Sequence, residues 1–249
     1  MSGHSKWHTI KHKKGAADAK RGRIFTRIIK EISVAARAGG GDVDSNPRLR
    51  TIVAEAKSVN MPAENIKRAI RRGTGEEPGV NYEEVTYEAY GPGGTAIILE
   101  GLTDNKNRTV GEIRHLLDKY NGKMADRNTA LRKFAKRGQI VIEKGKVDED
   151  TLMAAVLEAG ADDLRDDDEG WEVLTAPEAF AGVADAVRQL GVEPVSAAIA
   201  MVPFEYVKLT GKEAQSMLKL MDVLEDHDDV QHVWSNFDVD EKEIEASLS

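Results

Sequence analysis

The chain has 249 residues, a net charge of −8, 41% hydrophobic and 31% charged residues, and no cysteine. The missing cysteine excludes disulfides, thiolate metal sites and cysteine nucleophiles, and it fits a reducing, cytoplasmic setting. No apolar run approaches the ~20 residues that a membrane span needs, so no membrane partner is expected.

The charge is distributed unevenly. Residues 1–37 hold ten Lys or Arg against Asp18 and Glu31, a local charge of +8 in a chain of −8. A basic end on an acidic body suits one-ended contact with a polyanion, because clustered cations neutralise phosphates and release counterions. Residues 104–137 form a second basic stretch, ten cations against four acids, whereas residues 148–249 carry six against twenty-six.

Residues 1–15 lack apolar periodicity and read as a mobile arm. From Ala16 to Ala38, apolar residues Ile24, Phe25, Ile28, Ile29, Ile32 and Ala36 recur at helical spacing. Arg23, Arg27, Lys30 and Arg37 follow the same period on another face. Gly39–Gly41 ends this helix, and Asn46-Pro47 caps a second that runs to about Val59. A third starts after Met61-Pro62 and ends at Gly73, burying Ile66 and Ile70 and exposing Lys67, Arg68, Arg71 and Arg72. Residues 74–81 read as a linker.

Glu83–Tyr90 and Thr95–Leu102 predict a hairpin around Gly91–Gly94. That turn is not a phosphate loop, since no Gly-Lys-Ser/Thr follows. A helix is expected from about Arg108 to Tyr120, capped by Asn107. After Gly138 the order is strand, helix, two strands, helix, strand, which is the ferredoxin-like arrangement. A short strand near Tyr206, a helix over Lys212–Leu224 and a strand near Val230–Trp234 lack a sheet of their own. They can complete the hairpin and helix of residues 82–135, leaving the ferredoxin-like unit as an insertion. The expected fold is therefore α+β and multidomain. An arm and three-helix domain covers 1–80, a discontinuous α+β domain covers 81–137 and 204–249, and an inserted ferredoxin-like domain covers 138–203.

Candidate nucleic-acid contacts are His4, Lys6, Trp7, His8, Lys11, His12, Lys13, Lys14, Lys20, Arg21, Arg23, Arg27, Lys67, Arg68, Arg71, Arg72, Arg108 and Arg114. His4, His8 and His12 share a helical spacing, but the charges of Lys6, Lys11, Lys13 and Lys14 oppose a metal cation, so no metal is expected. Trp7 has two readings, a ring that stacks on an unpaired base or an anchor that folds back. Asp104, Asn105, Asn107 and Arg108 read first as a helix cap. Asp166–Gly170 lacks calcium-loop spacing and reads as an acidic hairpin turn. Glu225, Asp226, Asp228 and Asp229 end a helix where its dipole disfavours them, and read as a solvated turn. No Gly-x-Ser-x-Gly or nucleotide-binding glycine pattern is present. No cofactor and no enzymatic activity are expected; a metal-dependent nuclease on the acidic clusters is the weaker alternative. An acidic protein adaptor would leave the basic arm unexplained.

The chain resembles the YebC family over nearly its whole length. The resemblance rests on Gly3-His4-Ser5-Lys6-Trp7 with Ile10-Lys11-His12, on Asp18-Ala19-Lys20-Arg21-Gly22 with Ile24-Phe25, and on Gly39-Gly40-Gly41-Asp42 with Asn46-Pro47-Arg48-Leu49-Arg50. It continues through Tyr90-Gly91-Pro92-Gly93-Gly94-Thr95-Ala96, Asp104-Asn105, Asn107-Arg108-Thr109-Val110, Leu224-Glu225-Asp226 and Asp228-Asp229-Val230-Gln231. It implies a helical domain and two α/β domains, the third inserted in the second. It also implies a nucleic-acid-binding regulator: a translation factor on ribosomal RNA that eases stalls at proline-rich stretches, or a regulator of transcription on duplex DNA. The sequence departs from the family between Gly122 and Phe134, where Met124–Lys133 replaces a glycine-rich Gly-Ser-Val strand.

Overall fold

A computed structural model describes Trp7, residues 17–167 and residues 170–247. Three helices come first: α1 (Ala17–Gly39), α2 (Pro47–Ser58) and α3 (Ala63–Thr74). Their shared core holds Ile28, Ile32 and Ala36 of α1, Leu49, Ile52 and Val53 of α2, and Ile66 and Ala69 of α3. Asn46 joins α1 to α2. Its Oδ1 accepts from the Leu49 N–H at 3.1 Å, and its Nδ2 donates to the Ala35 and Gly40 carbonyls, each at 2.9 Å. This is an N-cap that also satisfies carbonyls at the end of the preceding helix.

α3 runs past the expected stop at Gly73 and ends at Gly75, whose φ of 85° is the left-handed cap. Gly73 has a packing role instead. A Cβ there would lie 2.5 Å from the Ser33 carbonyl oxygen and 2.8 Å from the Ala36 Cβ, so its small size sets how closely α3 approaches α1.

The hairpin follows as β1 (Glu83–Tyr90) and β2 (Ala96–Thr103), then α4 (Lys106–Lys119) and β3 (Lys123–Met124). The next elements are β4 (Phe134–Glu143), α5 (Glu149–Glu158), β5 (Ala161–Asp167), β6 (Gly170–Thr175), α6 (Phe180–Gln189) and β7 (Ser196–Pro203). The chain then forms β8 (Val207–Lys208), α7 (Gly211–Glu225), β9 (Val230–Ser235), β10 (Phe237–Asp238) and α8 (Glu241–Ser247).

The first sheet has the order β3-β1-β2-β9, so its strands come from both sides of the β4–β7 segment. The second has the order β5-β6-β4-β7 with antiparallel neighbours, the ferredoxin-like order. β4 begins at Phe134 rather than near Gly138, because its pairing with β7 extends to Phe134 opposite Pro203. The fold is α+β, as its alternations of apolar residues imply.

One face of the first sheet, with Ile97 and Leu99, packs on Ile113 and Leu117 of α4 and Met217, Met221 and Leu224 of α7. Its other face meets the second sheet, where Trp234 of β9 packs against Leu174, Ala200 and Val202. Ile140, Ile142 and Val173 face α5 and α6.

Candidate nucleic-acid interface

α1 carries Arg23, Arg27 and Lys30 at four- and three-residue steps, which places them on one face. That face lies on the C-terminal end of α7 and the turn after it. Arg23 pairs with Asp226 at 2.8 Å, and the Arg27 guanidinium donates to the Glu225 carbonyl. Lys30 reaches furthest in. Its Nζ lies 2.7 Å from Asp229 Oδ1 and donates to the Asp228 carbonyl at 2.9 Å. A helix C-terminus with four acids near it is unfavourable alone; three cations from another helix reverse the sign of that interaction. The expected solvated turn is thus an internal docking surface.

Asp229 is the centre of the contact. Its Oδ2 accepts from Arg108 Nη2 and Thr109 Oγ1, both at 2.7 Å, and from Thr103 Oγ1 at 3.2 Å. Burial opposes ionisation of this carboxyl, but hydrogen bonds from Lys30, Arg108 and Thr109 outweigh burial and hold it well below the usual carboxylate range. Arg108 is raised by its hydrogen bonds to Asp229 and Asp104. Gly101 makes room for the turn: a Cβ there would lie 2.5 Å from the Asp229 carbonyl oxygen, and the β2–β9 register shifts at this point.

Glu112, His227 and Asp229 bring possible ligand atoms within 4.8 Å of one another. His227 Nδ1 accepts the Asp229 N–H at 3.1 Å, so Nε2 carries the proton shared with Glu112 at 3.1 Å. Lys30 and Arg108 already occupy the Asp229 oxygens, and their charges oppose a metal cation there. The cluster is an ion-pair network.

Trp7 lies in the core of the first sheet, 1% exposed, with Nε1 donating to Glu225 Oε1 at 3.0 Å. Of its two readings, the anchor describes its position; a ring buried to this degree has no free face for a base. Arg23 and Arg27 are likewise engaged within the chain, which corrects their expected placement on an open phosphate-binding face. Arg108 is held by Asp229, and Arg71 by Glu64 and Glu77 at 3.1 and 2.6 Å.

The helix cap before α4 is Asn105 rather than Asn107, with Oδ1 accepting the Arg108 N–H at 3.1 Å. Lys67, Arg68, Arg72 and Arg114 are exposed and form no ion pair with a described residue. Lys20 and Arg21 lie on α1, and their side chains are not among those described. His4, Lys6, His8, Lys11, His12, Lys13 and Lys14 fall outside the described residues.

A second group of cations was not singled out residue by residue from the sequence. Lys123, Arg127, Arg132, Lys133 and Lys136 are exposed and free of ion pairs with described residues. Their signal was the charge excess of residues 104–137. The loop that carries Arg127, Arg132 and Lys133 is built on Glu88, whose carboxylate accepts the N–H groups of Asn128, Ala130 and Leu131 at 2.5, 2.8 and 2.8 Å.

The family model for the TACO1/YebC protein N-terminal domain matches residues 5–76, and that for the TACO1/YebC second and third domain matches residues 82–237. A probable transcriptional regulatory protein of Koribacter versatilis is 59% identical over 245 residues, covering 98% of each chain. One of Geobacter sp. strain M21 is 56% identical over 248 residues, covering 100% of each. The crystal structure of a conserved hypothetical protein from Aquifex aeolicus superposes with a TM-score of 0.78 at 40% identity, covering 90% of this chain and 93% of that one.

Proposed function

Because the chain belongs to the TACO1/YebC family, we propose that it is a non-enzymatic regulator of gene expression that binds nucleic acid, with ribosomal RNA on the translating ribosome as its main target. The observation that carries this reading is the outer face of α3, where Lys67, Arg68 and Arg72 are exposed and form no ion pair with a described residue. Most other cations of the three-helix unit that have described side chains, Arg23, Arg27, Lys30, Arg48 and Arg71, already hold a carboxylate or carbonyl. Cations on a helix face hold phosphates and carry no sequence information by themselves. Such a face suits the folded backbone of a structured RNA.

In this reading the α1 clamp fixes the three-helix unit on the first sheet, so phosphate-binding groups on different units keep one spacing. The factor would act on ribosomes stalled at proline-rich stretches. The second reading, a transcriptional regulator on duplex DNA, is favoured by the names of the bacterial relatives. Cosedimentation with ribosomes at physiological salt, in competition with duplex DNA, separates the two. The RNA reading expects retention on ribosomes that random duplex does not displace. Absence from ribosomes together with tight binding to one promoter sequence would establish the other.

A further inference from the structure

Phe204 is 68% exposed, more than any other large apolar side chain among the described residues. Burying such a ring would stabilise the fold, and here it stays in water. The turn that carries it is fixed from two sides. The Phe204 N–H donates to the Lys133 carbonyl at 3.0 Å, which continues the β4–β7 pairing one residue beyond Phe134 and Pro203. On the other side, buried Asn236 donates from Nδ2 to the Glu205 carbonyl at 3.0 Å, and its carbonyl accepts the Val207 N–H at 2.8 Å. These bonds fix the backbone of the turn that carries the ring.

Lys133 stands across the pairing from Phe204, and its Nζ lies 5.6 Å from the centre of the Tyr90 ring. Tyr90 is the register partner of Lys123. A cleft of about 560 Å³ opens there between the Gly91–Gly94 turn and Asn121–Lys123, with Tyr90 in its wall. Successive pairings therefore link Lys123 to Tyr90, Tyr90 to Lys133 and Lys133 to Phe204 in one strip, with Arg132 next to Lys133 in the chain. Its cations belong to the basic stretch of residues 104–137, and Phe204 comes from the acidic stretch of residues 148–249.

We propose that this strip is a second RNA-binding site, distinct from α3 and the arm, and that its ligand is an unpaired stretch of RNA. Lys123, Arg132 and Lys133 hold successive phosphates, and Phe204 stacks on one base. An exposed aromatic ring beside cations that form no ion pair with described residues is the arrangement that binds single strands with little sequence preference. Bases in a duplex are already stacked on each other, so the ring would find a partner only where the strand is unpaired. The site adds to the proposed function and rests on it for the choice of RNA.

The test uses the full chain and fluorescein-labelled oligouridylate, which does not pair with itself, followed by anisotropy. Phe204→Ala is expected to weaken binding roughly five- to hundredfold, the range for removal of one stacked base. Arg132→Gln with Lys133→Gln is expected to lower the log–log salt slope by about 0.7 for each phosphate no longer held. Neither variant should change the melting temperature, since these side chains are exposed. The same strand annealed to oligoadenylate should not respond to Phe204→Ala. Native affinity and slope in both variants would overturn the second site. If replacing Lys67, Arg68 and Arg72 together still abolished binding, the proposed function would survive without it. Equal weakening on the duplex would overturn the stacking role. A native chain that binds neither oligouridylate nor ribosomes would remove both proposals.

Discussion

The Lys30 ammonium lies 2.7 Å from Asp229 Oδ1, 199 residues away in the chain, and both side chains are buried. The pair joins the three-helix unit to the first sheet, and Arg108 and Thr109 hold the other carboxylate oxygen from α4. One carboxylate thus fixes three elements. Asp229→Leu leaves the buried Lys30 without its counter-charge and is expected to cost about 3–5 kcal/mol. Lys30→Met leaves Asp229 with Arg108 and two threonines and should cost less. Urea denaturation of the two variants gives the order. Asp229 has a depressed pKa in the folded state, so its contribution is present above the unfolded value and is lost as pH falls through the folded one. The native protein should therefore lose stability in acid below about pH 4, and the Asp229→Leu variant should lose less there.

Trp7 tests whether the arm is held by the fold or by RNA. Its ring is buried against the first sheet, so Trp7→Ala is expected to cost about 3–5 kcal/mol of stability, as for other large aromatic deletions. The Glu225 carboxylate would also lose its indole donor. A lowered melting temperature in the free protein, without RNA, is the expected result. An unchanged melting temperature would mean that the indole adds little to the core.

Glu31 of α1 is raised to about 7, first by burial and then by the nearby Glu55 carboxylate, with Arg48 and Arg27 opposing. A carboxyl raised in the folded state makes the native chain bind a proton that the unfolded chain has lost. Between the ordinary value of 4.5 and about 7, stability falls as pH rises, by at most about 1.4 kcal/mol per pH unit. Glu31→Gln should remove this slope and stabilise the protein at pH 8. Melting temperatures of both forms from pH 5 to pH 8 check the sign.

Lys67, Arg68 and Arg72 are expected to act as phosphate contacts. Replacing all three with Gln should weaken ribosome binding and lower its salt slope by about 0.7–0.9 for each phosphate released. Stability should change little, because none of them holds an acid among the described residues. Unchanged affinity and slope would move the phosphate-binding surface elsewhere.

The helices, the hairpin and the ferredoxin-like order were legible because each depends on local periodicity: apolar residues at three- and four-residue steps in α1 and α3, alternation in β1, glycine at the turns. The β-strand that completes the first sheet was legible too, since Val230–Ser235 had no other sheet to join. The amount and position of positive charge were also present in the sequence, but its destination was not. Arg23, Arg27 and Lys30 have the same chemistry as Lys67, Arg68 and Arg72, and each set sits on one helix. Only folding places the first set against Glu225–Asp229 and leaves the second in water. Trp7, Asp229 and Phe204 make the same point. Burial of an indole, ionisation of a carboxylate and exposure of a phenyl ring depend on neighbours far away in the chain. Local propensity carries no information about those neighbours, so it was the tertiary structure that decided which residues hold the protein together and which remain free to meet a partner.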